Sequence, residues 1–409
     1  MTAGLTLPSH RHLARRDVRR LVPALSGDAV TGGVQFYDAQ VDDARLAVTV
    51  VRTASAYGAA VVNRLEVLEL QQCPDRVRGV RVRDRMTGRE LDLAARVVVL
   101  ATGHEAALGV GPGDRRTWAP SQVRQRVHLV VARSAIRSAT GLAFPGEGLG
   151  LIRVTPWGRH WLIGPVETDQ PAADEAPTVA SSDVDLLLAA VNVHLPNELT
   201  RDQVQACYAG MAHDPSRSRR PSRPVPGLVV AGRARLSTYR RVAAQAMDEA
   251  VLELGGLVAP SITDWLSLIG GRRLPRPVEP TPPAGPAGRS ARRPGRAPAQ
   301  PHGSVADELL QLVTERAGLA RTVLGAEDYL AVEIHYAASH EGATELGDVL
   351  ARRTRIAIDT DDGGHATAPG AAALLATILG WDGRETERQV EAYRRWLAGE
   401  RRALRSPAE

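Results

Sequence analysis

The chain has 409 residues, of which 44% are apolar and 24% charged, so it can build buried cores and is not a disordered polypeptide. Its 51 basic and 46 acidic residues leave a net charge of +5, the arginines are dispersed, and aromatics make up only 4%, which together favour a solvated surface over a nucleic-acid stripe. The two cysteines, Cys73 and Cys207, form no disulfide framework and no CxxC-type metal site, and no apolar run approaches the ~20 residues of a membrane span; a cytoplasmic protein is expected.

In chain order, residues 1–31 are basic and polar, with LARRDVRRLVPAL as a short helix, and Val34 and Phe36 mark a brief strand. From Asp42, DDARLAVTVVRTASAYGA reads as a helix with acidic residues in its first turn and Leu46, Val50, Ala54 and Tyr57 on its buried side. The segments VVNRLEVLEL and GVRVRDRMTGRELDLA follow, the latter alternating apolar and polar residues around Thr87-Gly88, as a half-exposed hairpin does. RVVVLATG does not alternate; it predicts a central strand buried on both faces, closed by the small-residue turn Ala101-Thr102-Gly103. RVHLVVA, GLIRVT and HWLIGPV predict three antiparallel strands, the last two joined at Pro156-Trp157-Gly158-Arg159. SSDVDLLLAAVNVHL reads as an amphipathic helix, TRDQVQACYAG as a short element and residues 214–226 as a polar loop.

The stretch from Gly227 to Leu254 organises the chain. A short apolar run breaks at Gly232, and a helix begins near Ser237 or Thr238, its N-cap, with Val242, Ala243, Ala246, Met247, Ala250, Val251 and Leu254 on one face. A helix start just beyond a strand turns free N–H groups and the positive dipole end toward a phosphate or an electron-rich ring. Residues 274–304 are rich in Pro, Gly, Ala and Arg and read as a linker, and 305–409 carry helical patterns only, predicting an all-α domain. His335, His340 and Glu341 read as structural rather than metal-binding, because a spacing of five does not place two imidazoles on one helical face. The helix TERQVEAYRRWLAGERR admits two readings, the charged outer face of a bundle or an arginine face beside Trp396 and Leu397 that touches anionic lipid.

YDAQVDDARL, RVVVLATG, VHLVV, TPWGRHWLIG, the turn Leu236-Ser237-Thr238-Tyr239-Arg240 and the run Gly347 to Thr354 resemble, in order, signatures of the flavin-dependent glycerol-3-phosphate dehydrogenases of the respiratory, quinone-linked type. The resemblance implies an α/β (α+β) fold: a glutathione-reductase-type FAD unit over residues 1–273, an antiparallel substrate sheet inserted at about 118–170, the linker, and the helical domain over 305–409. It implies FAD as cofactor, glycerol 3-phosphate as substrate, quinone as acceptor and peripheral contact with a membrane. No GxGxxG occurs, the nearest approach being Gly109 to Asp114, so the dinucleotide unit that opens family members is expected to be missing.

By resemblance, His128 is the candidate base, in Gln125-Arg126-Val127-His128 where the family has KGxH. Arg235 and Arg240 are substrate-binding candidates, and Ala101, Thr102, Gly103, Gly232, Leu236, Ser237 and Thr238 the cofactor-binding ones. The family's GGKLTTYR turn reads Arg233-Ala234-Arg235-Leu236-Ser237-Thr238-Tyr239-Arg240, so Arg235 keeps the charge while both glycines are lost. Ala212 stands where the family places an arginine, and Gly164-Pro165-Val166-Glu167 replaces its GTTD turn. These substitutions leave open a catalytically inactive relative that acts as a binding or assembly partner. A histidine in an apolar strand also has a purely structural use.

Overall fold

Strand-period and helix-period segments follow one another in a computed structural model that describes residues 8–25, 30–102, 124–169, 177–195, 199–212, 220–232, 234–255, 258–271 and 305–405. In chain order the first part carries β1 (Arg11–Ala14), α1 (Arg15–Leu21), β2 (Gly32–Gln35), α2 (Asp43–Ala56), β3 (Leu65–Cys73), β4 (Arg76–Asp84), β5 (Glu90–Ala94) and β6 (Val98–Leu100). The middle carries β7 (Arg124–Ala132), β8 (Leu142–Gly146), β9 (Gly150–Trp157), β10 (His160–Asp169), α3 (Ser181–Asn192) and β11 (Val204–Ala212). Then come β12 (Ser222–Val225), β13 (Leu228–Val230) and α4 (Tyr239–Leu254). The last part carries α5 (Ala306–Glu315), β14 (Thr322–Val323), β15 (Ala326–Leu330), α6 (Ala331–Ser339), a π-helical turn (Asp348–Arg353), α7 (Ile356–Asp359), α8 (Ala368–Leu379) and α9 (Gly383–Arg405).

The largest sheet is antiparallel with strand order β11-β7-β10-β9-β8. Its odd-numbered β7 residues Val127, Leu129 and Val131 are fully buried against Val184, Leu187 and Val191 of α3, and Ala403 of α9 closes the same core. The alternation that buries those three residues sends Arg126 and His128 to the opposite face. The sequence reading of this sheet lacked two strands. β8 is one; the other is β11, which pairs along β7 from the far side of the chain, Tyr208 opposite His128. Strand β9 also runs on through Trp157, leaving Gly158-Arg159 as the two-residue turn, with Gly158 at φ +56°.

A second sheet has the order β12-β13-β6, with β6 and β13 parallel. Here the expectation for RVVVLATG is corrected: β6 is an edge strand among the described residues, and Val99 is 36% exposed while Leu228 and Val229 of β13 are fully buried. The central strand of this sheet is therefore the Gly227 segment. Part of the expected polar loop at 214–226 is strand too, since Ser222 pairs with Val230.

The helix after β13 forms where expected, but only Ala246 and Ala250 are buried; Met247 and Leu254 face outward. For α2, Leu46, Val50 and Ala54 are half-buried and Tyr57 is exposed, whereas Val48 and Thr53 are buried. The reason is that α2 docks through a polar face. Arg45 pairs with Glu341 at 2.6 Å, the two side chains 14% and 2% exposed. Arg52 reaches Glu308 and the Tyr336 hydroxyl, and Thr53 accepts from the Ile269 N–H. The last hundred residues are mainly helical rather than all-α: β14 and β15 form a hairpin before α6, and Tyr329 of β15 packs into the core that holds Leu346, Leu350, Ala372 and Tyr393. The expected linker at 274–304 and the Gly109 to Asp114 segment lie outside the described residues.

Candidate functional site

His128 occupies the middle of β7, on the face turned away from the α3 core. Tyr208 of β11 lies in register with it, and the two rings stack at 5.3 Å with an interplanar angle of 18°. On the other side β10 bulges between Ile163 and Val166, a device that bends a strand and re-aims side chains. The bulge holds Gly164 so close that a Cβ there, at φ +138°, would meet the Val127 carbonyl at 2.7 Å and His128 Cδ2 at 3.0 Å, so only glycine admits this approach.

The electrostatics keep the ring neutral. Burial disfavours the imidazolium, and the nearby Arg126 guanidinium repels it further, lowering the His128 pKa to about 4. Arg126 itself is held across the sheet by Glu167 at 2.7 Å. His128 Nδ1 is buried with no hydrogen-bond partner, an unused acceptor or donor at the centre of the strand. Burial, with Asp43 and Asp42 adding negative charge, pushes the Tyr208 phenol up to about 12, so it remains a hydrogen-bond donor at neutral pH.

Those two aspartates mark the N-terminus of α2. Asp42 caps the helix by accepting from Arg45 N–H, and its other oxygen takes Arg355 Nε at 3.0 Å. Arg355 in turn lies over the Trp157 ring at 4.3 Å. Segments remote in sequence thus meet at Asp42, which with Asp43 is near enough to Tyr208 to raise its pKa. The sequence reading missed Tyr208, Asp42 and Arg355 as a group; strand pairing across 80 positions and an ion pair across 313 leave no local signal.

The cofactor candidates collect elsewhere, at the carboxyl ends of β6 and β13. Parallel pairing brings both ends to one side of the sheet, and Ala231 N–H donates to the Leu100 carbonyl at 2.8 Å. Ala101 and Thr102 are exposed there and Gly232 is half-buried; Gly103 lies outside the described residues. Leu236, Ser237 and Thr238 are exposed just before α4. Thr238 is the N-cap by position, yet its hydroxyl is engaged with Arg235, accepting from its N–H and donating to its carbonyl, and makes no cap bond. The 16-residue helix thus opens without a side-chain cap in the chain segment that follows two parallel strand ends, the kind of helix start that favours a phosphate or an electron-rich ring. These residues fit one wall of an FAD site. Arg235 is exposed, and Arg240 donates to the Thr263 carbonyl at 3.2 Å.

The C-terminal candidates have structural partners. His335 contacts Arg316 and Ser339, His340 stacks on Tyr336 at 4.6 Å, and Glu341 holds Arg45. Leu397 is buried in the C-terminal core and is not presented outward. A 600 Å³ cleft lies at the other end of β7, beside Ala132. Its polar walls are satisfied by one another: His160 contacts Gln205 and Asp359, and Tyr329 donates to Asp359 at 2.6 Å.

A parallel β-pair followed by an uncapped helix, with a separate antiparallel sheet carrying a neutral histidine, is compatible with a flavin-dependent oxidoreductase, and the family match shows that class. Residues 2–238 match the family of FAD dependent oxidoreductases, and residues 261–386 match the C-terminal domain of alpha-glycerophosphate oxidase. The chain is 34% identical over 398 residues to glycerol-3-phosphate dehydrogenase of Mycobacterium leprae, covering 95% of this chain and 68% of that protein. It is 27% identical to the human mitochondrial glycerol-3-phosphate dehydrogenase, covering 92% of this chain and 54% of that protein. Its fold superposes on the Bacillus halodurans glycerol-3-phosphate dehydrogenase complexed with FAD with a TM-score of 0.74 at 20% identity, covering 97% of this chain and 80% of that one. The chain belongs to the FAD-dependent glycerol-3-phosphate dehydrogenase family. Among the described residues no helix is long and apolar enough to cross a membrane.

Proposed function

We propose that the chain oxidises sn-glycerol 3-phosphate to dihydroxyacetone phosphate, with quinone as the final acceptor and peripheral contact with the membrane that holds it. FAD, when bound, supplies the two-electron acceptor. The observation that carries the reading is His128 in mid-strand, half-buried between the stacked Tyr208 ring and Gly164, on a ring that burial and Arg126 keep neutral. A neutral imidazole offers a lone pair to the substrate's C2 hydroxyl and takes its proton as hydride departs from C2. Tyr208 fixes the plane of that ring, and Gly164 closes its other side. Gly232, Leu236, Ser237 and the first turn of α4 would line the far wall of the FAD site, where a helix start favours a phosphate or an electron-rich ring. Arg235 is the exposed cation that meets the substrate phosphate; Arg240 holds the Thr263 carbonyl and steadies the same loop. In this reading residues 1–273 form the oxidoreductase unit and 305–409 a mainly helical unit.

The test is an anaerobic assay of the purified, FAD-loaded protein with sn-glycerol 3-phosphate and a soluble short-chain quinone. Dihydroxyacetone phosphate formed in step with quinol is the expected result. A protein that retains FAD and forms no dihydroxyacetone phosphate would be the inactive binding relative instead.

A further inference from the structure

The helix α9 carries a second concentration of positive charge that the reaction does not use. Arg394, Arg401 and Arg405, spaced at i, i+7 and i+11, run along one side of its C-terminal half, with Arg395 beside them. Ala398 stands in the same row, and its small side chain leaves the floor between the arginines open. The opposite wall is the loop after α7, which lies tightly on the helix because Gly363 and Gly364 take φ +68° and +77°; a Cβ on Gly363 would meet Leu397 at 2.6 Å. Arg401 donates to the Asp361 carbonyl at 2.7 Å and Tyr393 to the Gly363 carbonyl at 2.6 Å, so this wall is fixed. Together they enclose a groove of 490 Å³.

Its charges are only partly balanced from within: four arginines line it against the carboxylates of Asp362, which feels Arg401, and Glu391. The Asp362 carboxylate accepts from the N–H groups of Gly364 and Ala366, at 2.9 and 2.7 Å, and so faces its own loop. Glu391 reaches Arg395 at 3.9 Å, with both side chains largely in water, where such a pair contributes little. Arg394 Nε is buried without an acceptor, and a buried donor left unmade is costly. Several guanidiniums around an open floor, one with a buried unmet donor, are matched by the oxygens of a multiply charged phosphate group.

We infer that this groove binds a phosphate-type anion, either a free phosphate compound or the headgroup of an anionic lipid. It shares no residue with β7, β11 or the start of α4, so the inference stands apart from the proposed chemistry, while its lipid-headgroup outcome rests on the membrane contact proposed with it. The experiment is binding of the full chain to two probes: pyrophosphate by calorimetry, and phosphatidylcholine vesicles with and without phosphatidylglycerol by sedimentation. Both are repeated with R394Q/R405Q and with R395Q/R405Q, the latter pair altering exposed side chains only, after thermal melting confirms that each folds. Saturable pyrophosphate binding that weakens roughly tenfold or more in the variants identifies a free anion. Phosphatidylglycerol-dependent sedimentation lost in the variants, without pyrophosphate binding, identifies a lipid headgroup. No binding to either probe, or binding that both variants retain at full affinity, overturns the inference.

Discussion

His128→Gln separates the histidine's two consequences, one for stability and one for catalysis. In the folded chain its pKa is lowered from 6.5 to about 4, a difference worth roughly 3 kcal/mol. The unfolded chain therefore binds a proton that the folded chain refuses between those two values, and folded stability falls as pH drops from 6.5 to about 4. Glutamine cannot titrate. The wild-type chain should lose up to roughly 3 kcal/mol more than His128→Gln over that window, whatever other groups contribute to both curves. Urea unfolding of both proteins at several pH values between 4 and 7, with the His128 ring titrated by NMR, gives the number. Parallel stability curves, or a ring that titrates near 6.5, would refute the assignment of a desolvated neutral imidazole.

Glu400 has the opposite sign. Burial pushes its carboxyl up to about 7, so the folded state is favoured by protonation and loses stability as pH rises from 4.5 through 7; Glu400→Gln should raise the melting temperature at pH 8 and change it little at pH 5. Glu341→Leu removes the buried acceptor of Arg45 and should cost roughly 3–5 kcal/mol by urea unfolding, much of it recovered in Arg45→Met/Glu341→Leu, where neither charge remains. If the single and double variants were equally unstable, α2 would not be held by charge. Gly363→Ala places a methyl group against Leu397 at a left-handed backbone and should destabilise by about 1–3 kcal/mol, with an unchanged melting temperature as the contrary result.

The elements that the sequence showed are those whose apolar pattern is local. β13 and α4 follow from one apolar run and one break, and β7 follows from RVHLVVA. Where a face is buried by charge the pattern misleads: α2 shows Leu46, Val50 and Ala54 on one side, yet it docks through Arg45 and Arg52 because their partners, Glu341, Glu308 and Tyr336, come from far along the chain. A continuous apolar run likewise does not distinguish the central β13 from the edge strand β6. At the site, His128 and the α4 turn were legible through family motifs. Tyr208 and Arg355 were not, since only strand register and the folded C-terminal segment bring them to the histidine and to Asp42.

The most direct measurement is the rate at which sn-glycerol 3-phosphate bleaches the 450 nm band of FAD-loaded protein in anaerobic stopped flow, for the wild type and His128→Gln. With His128 as the base, bleaching is expected in the wild type and a reduction roughly 10²–10⁴-fold slower in the variant, with substrate affinity little changed. Bleaching of equal speed in both would contradict that role.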